Sequence, residues 1–292
     1  MRQIFLAFLL VGEISWARPE GRRHLSERAK EICVRLLSNP IKFWRWYIVR
    51  PPEVVQVFGE PSHPVLTPES RVVIWNTFKG RIKGWVSDFR ALSENADLVL
   101  LQEVSLSKDT RDLLGALGPF EWTMATQFLR AGVPSGVVTG ARTPLLRHEY
   151  ISSPIPEPVT KTPKMTLLSW YRIAGATDPL LVANVHAINF VALKHFKENL
   201  HHIESRLMNH RGPILLAGDF NTWSTARLWL LFAMADRLGL SSISFARDNR
   251  ARPFDHAFVR GLEPSDAKIL AHIGTSDHKP LIFRLSLKTE EP

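Results

Sequence analysis

The chain has 292 residues, 45% of them hydrophobic and 22% charged, proportions that exclude an intrinsically disordered or multi-spanning membrane protein and leave room for one large domain with an extension. Lys and Arg outnumber Asp and Glu by 37 to 28, giving a net charge of +9; such a field attracts polyanions, nucleic acid or an anionic lipid surface, although a solubilising surface has the same signature. The single cysteine, Cys33, excludes an intrachain disulfide and a thiolate metal cluster, so any metal must be held by oxygen and nitrogen and is a hard ion such as magnesium, manganese or calcium.

At the N-terminus Arg2 precedes the apolar run Ile4 to Val11, and Ser15-Trp16-Ala17 offers small residues at the positions a signal peptidase reads. Residues 1–17 are therefore expected to be an export signal, placing the mature protein in the periplasm; a buried N-terminal helix in a cytoplasmic protein is the alternative. The run is too short to span a bilayer. Residues 18–69 read as a helical extension followed by a linker. One helix covers Ser26 to Leu37, with Ala29, Cys33 and Leu36 on one face, and a second covers Ile41 to Arg50, where Phe43, Trp44, Trp46 and Tyr47 alternate with Lys42, Arg45 and Arg50. That mixture suits a membrane surface or nucleic acid, while aromatics packed onto the main domain explain it equally. Pro51, Pro52, Pro61, Pro64 and Pro68 then break regular helix and mark the linker.

From about residue 70 to 287 the pattern becomes short apolar strands separated by helices. Strands are expected over Val72 to Asn76, Asp97 to Glu103, Gly136 to Gly140, Met165 to Ile173, Leu180 to His186, Pro213 to Asp219, Asp255 to Val259 and Leu281 to Leu285. Helices are expected over Ile82 to Ser93, Val191 to Asn209 and Ser224 to Leu238. In the second, Phe196, Leu200, Ile203 and Leu207 share a face, and His195 and His202 fall on the solvated side. Strands interspersed with helices predict an α/β fold, two sheets packed face to face beneath outer helices.

Four of these strands end in polar residues directly after an apolar run: at Asn76, at Gln102-Glu103, at His186, and at Gly218-Asp219-Phe220-Asn221. One such ending is commonly only a terminator or a helix cap, but several aligned endings deliver side chains to a common rim. These residues, with Asp255 and Ser276-Asp277-His278, resemble in order and spacing the endonuclease/exonuclease/phosphatase superfamily over residues 71–286. The Gly-Asp-Phe-Asn and Ser-Asp-His segments are the most specific. Trp75-Asn76 and Asn184-Val185-His186-Ala187-Ile188-Asn189-Phe190 further resemble a bacterial branch typified by enterobacterial YafD.

The resemblance implies a four-layer, DNase I-like sandwich and a metal-dependent hydrolase of phosphodiesters. It makes Glu103 the principal ligand of Mg2+ or Mn2+, helped by Asn76 and Asp277. Asp219 orients or deprotonates the attacking water, Asn221 holds that water or the phosphate, and His278 donates to a phosphoryl oxygen with Asp255 fixing its tautomer. His186 contacts the phosphate from the other side and protonates the leaving group. Abasic-site endonucleases of the superfamily have tyrosine where this chain has Asn184-Val185-His186, which disfavours a repair enzyme. Nucleic acid stands ahead of lipid as the substrate. A sphingomyelinase-like enzyme and a catalytically silent nucleic-acid or membrane-binding protein of the same fold are the alternatives, and no obligate protein partner is evident. A decayed site would have lost an acidic ligand or a histidine, and this chain retains both.

Overall fold

The computed structural model describes residues 46–47, 53–67, 69–158, 160–246, 248, 250 and 253–288. In chain order the strands are β1 (Trp46–Tyr47), β2 (Val55–Phe58), β3 (Ser70–Asn76), β4 (Leu98–Ser105), β5 (Glu121–Arg130), β6 (Val133–Ala141) and β7 (Leu145–Ser152), then β8 (Met165–Tyr171), β9 (Leu180–His186), β10 (Ile214–Asp219), β11 (Ser241–Ser242), β12 (Asp255–Arg260), β13 (Leu262–Ile269) and β14 (Leu281–Leu287). The α-helices are α1 (Trp85–Ser93), α2 (Lys108–Gly115), α3 (Leu193–Leu207) and α4 (Thr225–Arg237).

The first sheet runs β1-β5-β6-β4-β3-β14-β13, with β2 also on β5, and the second runs β11-β12-β10-β9-β8-β7. β3 with β4 and β9 with β10 are parallel. Strand alternation sorts the apolar residues into layers. Val72 and Ile74, Leu98 and Leu100, Leu215 and Ala217, and Val182 fill one cluster shared by both sheets. Their neighbours Val73, Trp75, Val99 and Leu101 turn outward onto Trp85 and Phe89 of α1 and Leu113 and Leu114 of α2. On the far side Leu181, Ala183, Ile214 and Leu216 meet Phe196, Leu200, Ile203 and Leu207 of α3 and Leu231 and Met234 of α4. Each buried Val, Leu, Ile, Phe or Met side chain among them contributes about 1.5–3 kcal/mol. The result is the four-layer α/β sandwich expected from the sequence.

Two sequence expectations change. Of the helix expected over Ile41 to Arg50 only Trp46 and Tyr47 are described, and they form a strand antiparallel to Leu129 and Arg130 at the edge of the first sheet; aromatic residues favour strands wherever a sheet edge supplies hydrogen bonds. The proline-rich stretch is more than a connector. Val55–Phe58 pairs with Trp122–Ala125, and Val54 and Leu66 are buried, because prolines exclude helix while tolerating an edge strand. The segment 1–17, the helix at 26–37 and Cys33 lie outside the described residues.

Candidate active site

The alternation that sorts the core also chooses the site. Residues 76, 186 and 219 share parity with Ile74, Asn184 and Ala217, so where the apolar layer between the sheets runs out, each strand places a polar side chain at the same rim. Parity alone would put Gln102 there instead of Glu103. β4 corrects this with a bulge: Leu101 pairs with Val138 and Val104 with Gly136, leaving Gln102 and Glu103 opposite Val137. Glu103 takes a left-handed φ of 54°, and after it the alternation is inverted, with Val104 on the outer face that Leu101 occupied. The bulge thus swings Glu103 to the rim. Gln102 stays below it, donating to Asn184 Oδ1 at 2.7 Å, while Asn184 Nδ2 donates to the Val138 carbonyl at 2.9 Å. This buried pair ties the two sheets beneath the site.

Gly218 answers a different demand. A Cβ there would lie 2.1 Å from the Val185 carbonyl oxygen, so only glycine lets β10 approach β9 closely enough to bring Asp219 beside His186. Phe220 is buried in the outer core, and Asn221 turns back at φ 52° to donate its N–H to Asp219 Oδ1 at 2.9 Å. The other oxygen, Oδ2, accepts from Asn76 Nδ2 at 2.9 Å and lies 3.6 Å from His186 Nε2 and 3.8 Å from His278 Nε2. Burial, with Asp255 assisting, raises the Asp219 pKa above the ordinary carboxylate range despite the opposing His278 charge. His278 reaches it from the 276–278 turn, which Ser276 ties to the Asn76 carbonyl at 2.6 Å and Trp75 Nε1 ties to the His278 carbonyl at 3.1 Å. His278 Nδ1 faces Asp255 Oδ2 at 2.8 Å. Burial disfavours its charged form, but Asp255 and Asp219 outweigh this and push its pKa up to about 10. Burial likewise raises Asp277.

At the other end Glu103 pairs with Lys79 through Oε2, and its Oε1 lies 4.0 Å from His186 Nε2. Burial pushes its pKa up, but the Lys79 and Lys164 ammoniums win and hold it well below the carboxylate range. Lys164, 8% exposed, places Nζ 2.9 Å from His186 Nε2 and 3.5 Å from Glu157 Oε1. His186 is 2% exposed, and burial followed by the Lys164 charge drives its pKa far down, so the ring is neutral. Its Nδ1 has no hydrogen-bond partner among the described residues. A neutral ring whose Nε2 is taken by a lysine is a poor proton donor to a leaving group, and this departs from the role the resemblance implied for His186.

The donor set fits a hard divalent ion at the Glu103 end, with an ionised carboxylate, the Asn76 amide oxygen and Asp277, and no thiolate among the described residues. Asp219, Asp255 and His278 also bring ligand atoms within 4.8 Å of one another. There, however, protonated His278 already supplies the positive charge, and a cation would have to displace its proton.

All eight residues expected from the sequence lie on this rim. Sequence reasoning missed Lys79 and Lys164, whose only signals are spacing of three from Asn76 and position ahead of strand β8. It also missed Asn189, which donates through Nδ2 to Asn221 Oδ1 at 2.6 Å, and Glu157, which accepts the Asn189 N–H at 3.0 Å.

A family model described as the Endonuclease/Exonuclease/phosphatase family matches residues 73–278. A UPF0294 protein of Yersinia enterocolitica is 36% identical over 233 residues, covering 76% of this chain and 86% of its own length. A UPF0294 protein of Vibrio campbellii is 34% identical over 229 residues, covering 76% and 79%. Among solved structures, the human Nocturnin catalytic domain with bound sulfate anion matches at a TM-score of 0.59 and 19% identity, covering 82% of this chain and 100% of that one, a likeness of fold.

Proposed function

Since this chain belongs to the Endonuclease/Exonuclease/phosphatase family, whose members are generally hydrolases of phosphoester bonds, we propose that it is a divalent-metal-dependent phosphodiesterase acting on nucleic acid or nucleotides. The observation that carries this reading is the Asp219 carboxylate, set between the Asn76 amide, the Asn221 N–H and two histidines, one neutral and one protonated.

Magnesium or manganese held by Glu103, with Asn76 and Asp277, would neutralise charge on the phosphoryl oxygens. The chain's own groups do the rest. Asp219, its basicity raised by burial, accepts the proton of the attacking water, while Asn76 and Asn221 fix its oxygens. His278, charged and steered through Nδ1 by Asp255, presents its Nε2–H to a phosphoryl oxygen. Lys164 is the cation of the opposite wall, and His186 positions it.

Product release from a panel of double-stranded DNA, RNA, sphingomyelin and phosphoinositides, with magnesium, manganese or excess chelator, tests the proposal. Cleavage of the nucleic acids with added metal is expected. Full turnover in chelator would overturn the metal dependence, sphingomyelin cleavage alone would transfer the activity to lipid, and a panel without any product would favour the silent binding protein.

The N-terminal extension enters the proposal as an accessory to binding, and export to the periplasm stands as its expected location. Deleting residues 18–50 should weaken binding to a large anionic substrate more than turnover of a small soluble phosphodiester. Equal loss on both would make the segment structural.

A further inference from the structure

Single exposed aromatic residues are common on protein surfaces and need no explanation. Trp223 differs because the structure holds it in place while leaving it 42% exposed. Its indole N–H donates to Asn189 Oδ1 at 3.0 Å, an oxygen that also accepts the Phe190 backbone N–H at 2.8 Å. The Arg227 guanidinium sits 4.6 Å from the indole centroid. Arg227 is itself 1% exposed and donates to the carbonyls of Ile188, Asn221 and Val191 at 3.1, 3.2 and 2.9 Å. Burying a guanidinium is costly unless its donors are satisfied, and here they are satisfied by the loops that form the floor beneath Trp223. Phe190, 59% exposed, follows Asn189 in the loop after β9.

The platform is joined to the reaction centre. Asn189 Nδ2 donates to Asn221 Oδ1 at 2.6 Å, and the Asn221 N–H donates to Asp219 Oδ1 at 2.9 Å. Two hydrogen bonds therefore separate the residue that pins the indole from the carboxylate proposed to activate water.

We propose that Trp223 is a stacking subsite for a nucleobase next to the scissile phosphate; this rests on the phosphodiesterase reading and narrows its substrates to nucleotides. A base fits because each one offers a π-face, so stacking on a preset ring tolerates any sequence. A bilayer fits less well. A tryptophan at a membrane interface keeps its polar N–H toward the wet side, whereas this N–H is turned inward onto Asn189.

Equilibrium dialysis of the full chain with AMP and with ribose 5-phosphate, magnesium present, isolates the base, because the phosphate contribution cancels in the ratio of affinities. Wild type should prefer AMP by about 5- to 150-fold, the range of one stacked base. Trp223→Ala should bring the ratio close to one and Trp223→Phe should retain most of it. Trp229→Ala, which removes a ring 69% exposed on the outward face of α4, should retain all of it. Equal affinities in wild type, no binding of AMP, or an unchanged ratio in Trp223→Ala would each overturn the subsite. So would equal affinities together with phosphatidylglycerol-vesicle binding that Trp223→Ala abolishes, which would make the ring a lipid contact. The ratio is read without turnover, so a failure of the hydrolase reading shows separately, in the metal-dependent panel.

Discussion

The Glu103 end of the rim and the Asp219–Asp255 end are built from the same residue types, carboxylate and histidine, yet hold their protons oppositely. Around His186 burial and then the Lys164 ammonium at 2.9 Å outweigh the Glu103 carboxylate at 4.0 Å and keep the ring neutral, while Lys79 and Lys164 keep Glu103 ionised. Around His278 the nearest charges are Asp255 and Asp219, which overcome burial and keep that ring protonated, while Asp219 is left more basic than an ordinary carboxylate. Protonation here follows burial and the balance of neighbouring charge, not the identity of the residue. One end is thereby suited to a cation and the other to moving a proton.

Substituting each carboxylate by its amide tests the division directly. Asp219→Asn removes the proton acceptor, so kcat should fall about 10²- to 10⁴-fold at every metal concentration. Glu103→Gln removes charge and leaves the proton path intact. Metal affinity should fall, and a metal titration of the rate should recover part of the activity. If Asp219→Asn were the variant rescued by metal, the two ends would have to be exchanged. Wild-type kinetics in both, with a melting temperature lowered by the roughly 1 kcal/mol of a lost cap, would make the carboxylates structural.

A subtler variant addresses the histidines themselves. Lys164→Met removes the charge beside His186, so the ring should titrate at higher pH than in wild type, as read by the pH dependence of its NMR signals. An unshifted ring would mean that burial alone keeps it neutral.

The smallest effect is expected at His256, one residue beyond Asp255 but turned into the α4 side of the sandwich, where Nε2 lies 2.8 Å from Thr222 Oγ1 and 3.0 Å from the Pro253 carbonyl. Burial lowers its pKa to about 4 from 6.5, against the pull of Asp255. Between those values the unfolded chain binds the extra proton, so stability is full above pH 6.5 and declines as pH falls toward 4. Roughly 2 kcal/mol of this should be lost between pH 7 and pH 5, at 1.36 kcal/mol per unit. Asp219 and Asp277, with raised pKa values, act in the opposite direction. The measurement is therefore the difference between wild type and His256→Asn in denaturant melts at the two pH values, and an equal slope in both would remove the assignment.

The sequence made part of this plain. β3, β4, β9, β10 and β14 are apolar runs flanked by turns, and both the sandwich and the family follow from them and from the Gly-Asp-Phe-Asn and Ser-Asp-His segments. Strands toward the two ends of the first sheet were less visible. β13 contains Pro264, Asp266 and Lys268 and buries only Leu262, while β5 interrupts its apolar residues with buried Thr123, Thr126 and Gln127. Lys164 looked like any surface lysine because its importance comes from His186, 22 residues away in sequence. The β4 bulge was hidden for another reason: the strand continues through Glu103 to Ser105, and a bulge depends on the partner strand, which no local pattern records.

The order of strands in the first sheet also has a consequence for how the molecule is born. β14, the last strand, pairs with β3, the first of the central strands, and the turn carrying His278 is tied to Asn76 and Trp75 across 200 and 203 residues of sequence. A chain emerging from the ribosome completes Asn76, Glu103, His186 and Asp219 long before the histidine that faces them. Such distant pairings form slowly, because a long loop must close before they are rewarded. The rim is therefore incomplete until β14 has docked onto β3 and carried the His278 turn to Asn76 and Trp75.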